Sequence, residues 1–205
     1  MHPNKLFRVE DPHQLFAFVS ERGFGTVVAQ TGEGLHGVAV PFVTDVAESR
    51  LRFHCSRGNR LVETFGSECD VMVIVNGPDA YISPDWYEGQ NQVPTWNYVT
   101  VHMQGVCRPL PEDALPKQLD DLSAHFEARL APKAPWTTGK MDEEVYAKMR
   151  RHILPFEIEV TQIEGTWKLS QNKHGADHDG TIAGLEGAGD AGSVAIAKLM
   201  RERGA

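Results

Sequence analysis

Ser56-Arg57-Gly58-Asn59-Arg60 puts two guanidinium groups, a permissive glycine and two short hydrogen-bonding side chains where a strand gives way to a helix. Open backbone N–H groups at such a junction, with guanidinium forks beside them, suit a phosphate. An ordinary strand-to-helix turn with solvated arginines explains the same residues, and for this segment alone it is the stronger reading. Two further segments, Ala80-Tyr81-Ile82-Ser83-Pro84-Asp85-Trp86-Tyr87 and Val93-Pro94-Thr95-Trp96-Asn97-Tyr98, combine flat aromatic faces with hydroxyl and amide groups. A planar heteroaromatic ligand wants that combination, although an aromatic lid over a core would use the same residues. The fourth segment, Trp167-Lys168-Leu169-Ser170-Gln171-Asn172-Lys173, is dense in polar groups at a strand end. Strand alternation puts Lys168, Ser170 and Asn172 on one face, with Gln171 and Lys173 on the other if the strand runs that far, as a ligand rim or a solvated edge.

Short β-rich runs must position these groups. Thr26 to Gln30, Leu35 to Val43, Leu51 to Cys55, Cys69 to Asn76 and Asn97 to Cys107 read as strands bounded by Gly and polar turns. Val71-Met72-Val73-Ile74-Val75 is apolar on both faces, so both must be covered, one by a barrel interior and the other by something such as a second subunit. Phe156 to Val160 alternates strictly, and Thr166 to Ser170 is expected to return as its hairpin partner. Helices are expected over His13 to Arg22 behind the Asp11-Pro12 cap, and over Asn59 to Phe65 with Asn59 as cap. Others are expected within Leu110 to Leu130, over Asp142 to His152, and over Ser193 to Arg203. Asn172 to Gly192 reads as a mobile Gly- and Asp-rich loop around a short helix. The pattern predicts a mainly β chain with flanking helices (α+β), built on an antiparallel barrel. No linker divides residues 1–205, so a single domain with a C-terminal helical extension from about residue 172 is expected.

The string Gly77 to Tyr87, then Val93-Pro94-Thr95-Trp96-Asn97-Tyr98, Val101-His102-Met103-Gln104-Gly105 and Lys168-Leu169-Ser170-Gln171-Asn172-Lys173, resembles the PaiB family. These are FMN-binding split-barrel proteins described as negative transcriptional regulators. The resemblance covers nearly the whole chain, including Phe24-Gly25-Thr26-Val27-Val28. It implies a split β-barrel homodimer with FMN near the subunit interface. Carried over by motif, His54, Ser56, Arg57 and Asn59 would serve the phosphate and ribityl chain. Ser83, Trp86, Thr95, Trp96 and Asn97 would line the flavin, and Lys168, Gln171, Asn172 and Lys173 would close the site. The chain departs from the family at Arg60-Leu61-Val62, where an aromatic continuation is usual, and at Val38-Ala39-Val40-Pro41, where His-Leu-Pro is common.

Composition narrows the function classes. The chain has 205 residues with 20 Lys+Arg against 28 Asp+Glu, a net charge of −8. That balance opposes direct DNA binding, which needs a concentrated basic surface, and there is no recognisable helix-turn-helix. No apolar run approaches a membrane span, and Met1 to Gln14 holds no apolar signal-type core, so a cytoplasmic protein is expected. Cys55, Cys69 and Cys107 read as reduced, small apolar residues. His174 and His178 lie four apart beside Asp177 and Asp179, but Gly175 argues against a helical metal pair, and no metal is expected. Two functions remain: an FMN-binding regulator, and an FMN-dependent oxidoreductase passing electrons or hydride from NAD(P)H to a small acceptor.

Overall fold

Alternation decides most strands. In β5 (Cys69–Ile82), Val71, Val73 and Val75 are buried while Met72 is exposed and Ile74 half-buried. β2 (Phe24–Thr31) and β4 (Arg50–Ser56) repeat that period, with Val27, Ala29, Leu51, Phe53 and Cys55 turned inward. The computed structural model describes residues 2–203. Four more strands complete the sheet: β1 (Arg8–Val9), β3 (Gly34–Asp45), β6 (Thr95–Pro109) and β7 (Ile153–Lys168). The strand order is β1-β7-β4-β3-β2-β5-β6, and a further β7–β6 pairing joins the series back on itself. The six α-helices among the described residues are α1 (Pro12–Arg22), α2 (Leu61–Phe65), α3 (Leu115–Glu127), α4 (Glu143–Arg150), α5 (Ala176–Ala188) and α6 (Ala191–Arg203). The expected antiparallel barrel with flanking helices is therefore the fold observed.

The chain forms two compact units. The first comprises Met1–Leu15, Asn76–Val101 and Glu164–Ala205; the second comprises Phe16–Val75 and His102–Ile163. In the second unit, Phe53, Phe65 and Phe156 meet with ring centroids 5.4 to 5.7 Å apart and are almost fully buried. Registers Thr26↔Ile74 and Val28↔Met72 join β2 to β5, and Leu51↔Ile158 and Phe53↔Phe156 join β4 to β7. In the first unit, α5 and α6 close over buried Ile182, Leu185, Ile196, Ala197 and Met200. No described helix is long and apolar enough to cross a membrane.

Caps behave as their residue types require. The Asp142 carboxylate accepts from Glu144 and Val145 N–H at the start of α4, and Asn59 accepts from Leu61 N–H at 2.9 Å before α2. Three expectations are corrected. The hairpin expected between Phe156–Val160 and Thr166–Ser170 does not form, because β7 runs unbroken from Ile153 to Lys168. Gly165 marks a close approach instead of a turn: a Cβ there would lie 2.2 Å from a Leu15 methyl and 2.6 Å from the Trp167 ring, and the residue pairs with Val9. The alternation expected through Asn172 stops at Lys168, and Ser170 takes a left-handed φ of 57°. The segment expected as a mobile loop contains the 13-residue α5, anchored where Asp177 accepts the Glu88 and Gly89 N–H groups.

Candidate functional site

In the first unit, β7 delivers Lys168 to the start of β6. Its Nζ donates to Thr95 Oγ1 at 2.6 Å and to the Trp96 carbonyl, and lies 5.8 Å from the centre of the Phe7 ring. No carboxylate among the described residues lies within ion-pair distance, and burial pushes the ammonium below its ordinary value. A half-buried cation held only by neutral oxygens favours an acceptor-rich or anionic ligand. Trp96 is 53% exposed and meets Tyr81 edge-on at 6.0 Å. These two rings, Trp86 and Asp190 line a cavity of about 460 Å³. Trp86 lies on α5 where Gly180 and Gly184 leave room; a Cβ at Gly184 would come within 2.2 Å of its indole. That glycine pair was the unread signal for how the tryptophan is seated.

Other expected site residues of this unit are spent internally. Asn97 is fully buried, and its amide donates to Ser170 Oγ at 2.9 Å and to Met200 sulfur at 3.5 Å. It therefore braces the rim from behind rather than facing a ligand. Gln171 folds back, accepting from Leu169 N–H and donating to the Trp167 carbonyl. Ser83 accepts from Asp85 N–H and caps the turn that carries Trp86. Lys173 donates to the Gln92 side chain at 2.6 Å and lies 4.3 Å from the Tyr87 ring centre, again with no carboxylate partner among the described residues. Asn172 is exposed beside it.

The second unit holds the strand-to-helix turn. Arg57 donates through Nε to the Arg151 carbonyl at 2.7 Å, and its Nη2 pairs with Glu112 at 2.7 Å. Ser56 Oγ accepts from Gly58 N–H at 3.4 Å, and Asn59 Oδ1 accepts from Leu61 N–H, one residue ahead of Arg60, the N-cap of α2. Burial pushes the His54 imidazole below its ordinary value and leaves its Nδ1 unpartnered. Sequence reasoning passed over His36, which with Arg60 lines a cavity of about 560 Å³ in this unit; His36 Nε2 is likewise buried, with no partner among the described residues. Alternation in β3 was the available signal for His36, but a lone histidine in a strand carries little weight by itself.

Comparison with known proteins identifies the family and the fold. The family model described as "Putative FMN-binding domain" matches residues 1–162. The chain is 31% identical over 205 residues to the protease synthase and sporulation protein PAI 2 of Bacillus subtilis strain 168, covering 99% of this chain and 98% of that protein. An uncharacterised protein of Emericella nidulans is 28% identical, with 80% of each chain covered. Among solved structures, the FAD and heme binding protein from Mycobacterium smegmatis superposes with TM-score 0.60 at 16% identity, covering 89% of this chain and 80% of that one. The flavocytochrome Anf3 from Azotobacter vinelandii gives TM-score 0.56 at 14% identity, covering 85% and 73%. At these identities the likeness is one of fold.

Proposed function

We propose, from the premise that this chain belongs to the FMN-binding domain family and is homologous to PAI 2, that it works as an FMN-responsive regulator, with the flavin ring system held at Lys168, Thr95, Trp96 and Trp86. The observation that carries the reading is Lys168: a half-buried ammonium with two neutral oxygen partners and an exposed tryptophan next to it. A ring system rich in carbonyl and nitrogen acceptors supplies what that ammonium lacks. FMN supplies the redox chemistry when bound, and the charge of Lys168 tunes its electronics. Lys173 and Asn172 extend the same polar edge, while Asn97, Ser83 and Gln171 position it.

The phosphate and ribityl chain fall to His54, Ser56, Arg57 and Asn59. The unpaired Nδ1 of His54 supports this assignment. Arg57 would exchange its exposed Glu112 partner for a phosphate, at small cost because exposed ion pairs are weak. Regulation would be indirect or through a partner, since the net charge of −8 opposes approach to DNA.

A second copy of the chain is the partner we assign to the outer face of β3, β2 and β5. Phe24, Leu35 and Met72 are exposed there, with Val28 and Ile74 on the same face by register. Burying such a face is worth roughly 25 cal/mol for each Å² of apolar surface. Met72→Glu would then turn a dimer into a monomer in light-scattering chromatography; a wild-type monomer sinks this assignment.

Titration of the purified protein with FMN tests the main reading, with saturation expected at one flavin per chain. A protein that binds no FMN overturns it. Anaerobic bleaching of the bound flavin by NADH or NADPH, faster than free FMN, would instead make the chain an oxidoreductase.

A further inference from the structure

We infer that the cleft between α3 and the strand pair β4–β7 binds a small organic carboxylate carrying its own hydrogen-bond donor. The cleft belongs entirely to the second unit, and the proposed flavin contacts use none of its residues. It measures about 340 Å³. Arg50, Arg52 and Glu157 line its sheet side, and Lys117, Gln118 and Asp121 line its helix side.

Charge sets the first requirement. Glu157 is shared by two guanidinium groups, with Arg52 Nε at 2.8 Å and Arg50 Nη1 at 3.2 Å. Lys117 is matched by Asp121 at 2.6 Å. Among the residues that line the cleft, three cations face two carboxylates; Arg50 also reaches Glu48 at 4.0 Å, an exposed pair outside the cleft that an incoming monoanion can displace.

Unpaired polar atoms set the second requirement. Gln118 is 4% exposed, and neither its Nε2 nor its Oε1 has a hydrogen-bond partner among the described residues. The Nε of Arg50 is also buried and unpartnered. Buried amides are almost always hydrogen-bonded, so an amide unpaired at both ends, beside an unpaired guanidinium N–H, points to a missing partner. The two donors, Gln118 Nε2 and Arg50 Nε, match carboxylate oxygens. The Gln118 carbonyl needs a donor on the same molecule, such as a hydroxyl or an amide N–H. Rotation about the soft terminal torsion of Gln118 turns the amide to its partner. Leu110 and Ala114 supply an apolar wall for the rest of the ligand. A 2-hydroxy or acylamino carboxylic acid has all three features.

Calorimetric titration of the full-length, FMN-loaded protein with salicylate and with N-acetylglycine tests this inference. At least one should bind saturably, once per chain. Benzoate, which lacks the donor, and salicyl alcohol, which lacks the charge, should bind at least about tenfold more weakly than salicylate if that is the probe that binds. Gln118→Met and Arg50→Gln should each weaken the bound probe about tenfold or more, with the flavin stoichiometry unchanged. Gln118→Met should also raise the melting temperature of the ligand-free protein, because it removes an unpaired amide. Failure of both probes to saturate by about 10 mM, a range in which specific small-ligand binding is measurable, overturns the proposal. So does binding that Gln118→Met and Arg50→Gln leave unchanged. A protein that binds a probe but no FMN would retain this site and lose the flavin reading.

Discussion

At the rim made by Thr95, Trp96 and Lys168, a lysine ammonium rests on a hydroxyl and a carbonyl with no carboxylate among the described residues in reach. At the turn from Ser56 to Arg60, both guanidinium groups already face carboxylates, Glu112 at 2.7 Å and Glu33 at 3.8 Å. The turn has more positive charge, yet the rim has the greater unmet demand. A partly desolvated cation without a counter-ion must be satisfied by something, whereas an exposed arginine with a glutamate neighbour is already at rest. Counting cationic residues therefore ranks the two regions in the wrong order.

The largest expected effect is at the rim. Lys168→Met keeps the stem and removes the charge, and should weaken FMN binding about ten- to a hundredfold, the range of one charge-assisted hydrogen bond. Flavin fluorescence titration measures this, and an unchanged affinity would make the turn the dominant anchor. Next comes Gly184→Ala, which places a Cβ where the Trp86 indole lies. Overpacking of this kind costs about 1–3 kcal/mol in denaturant unfolding. A shifted tryptophan emission spectrum should accompany it, while a silent substitution would mean that Trp86 is not held by α5.

Arg57→Ala should weaken FMN binding only about fivefold, near 1 kcal/mol, because the arginine has to surrender Glu112 first. Glu112→Gln should move affinity slightly the other way. A loss larger than that of Lys168→Met would invert the comparison.

The smallest effect is a pH dependence at the turn. Burial lowers the folded-state pKa of His54 below its ordinary value of 6.5, so the unfolded chain takes up this proton first. Stability should then fall as pH drops through the window just under that value, and His54→Gln should flatten the slope. Equal slopes in both proteins would exclude His54 as its source.

How much of this was legible beforehand can be traced residue by residue. Period-two alternation marked β2, β4 and β5, and Asp142 announced the helix it caps, because these effects act between residues a few positions apart; Asn59 falls one residue short of Arg60, the N-cap of α2. Thr95, Trp96 and Lys168 were identifiable as candidate site residues by type and motif. What they do to one another was not: Lys168 and Thr95 are 73 positions apart, as are Asn97 and Ser170. The unbroken β7 misled for a similar reason. Gly165 reads locally as a turn, and only Val9, Leu15 and Trp167 packed around it make it part of a strand.

The amino-acid sequence by itself determined the family, the barrel class, the strand faces and the chemical types at each edge, since periodicity and composition are local properties. Tertiary structure alone decided which of those groups are already satisfied. Among the described residues it left Lys168 without a counter-ion, gave Arg57 one, enclosed Asn97 and stranded the amide of Gln118. Whether a polar group is paired depends on what long-range folding brings within hydrogen-bonding distance of it, about 3 Å for a strong bond.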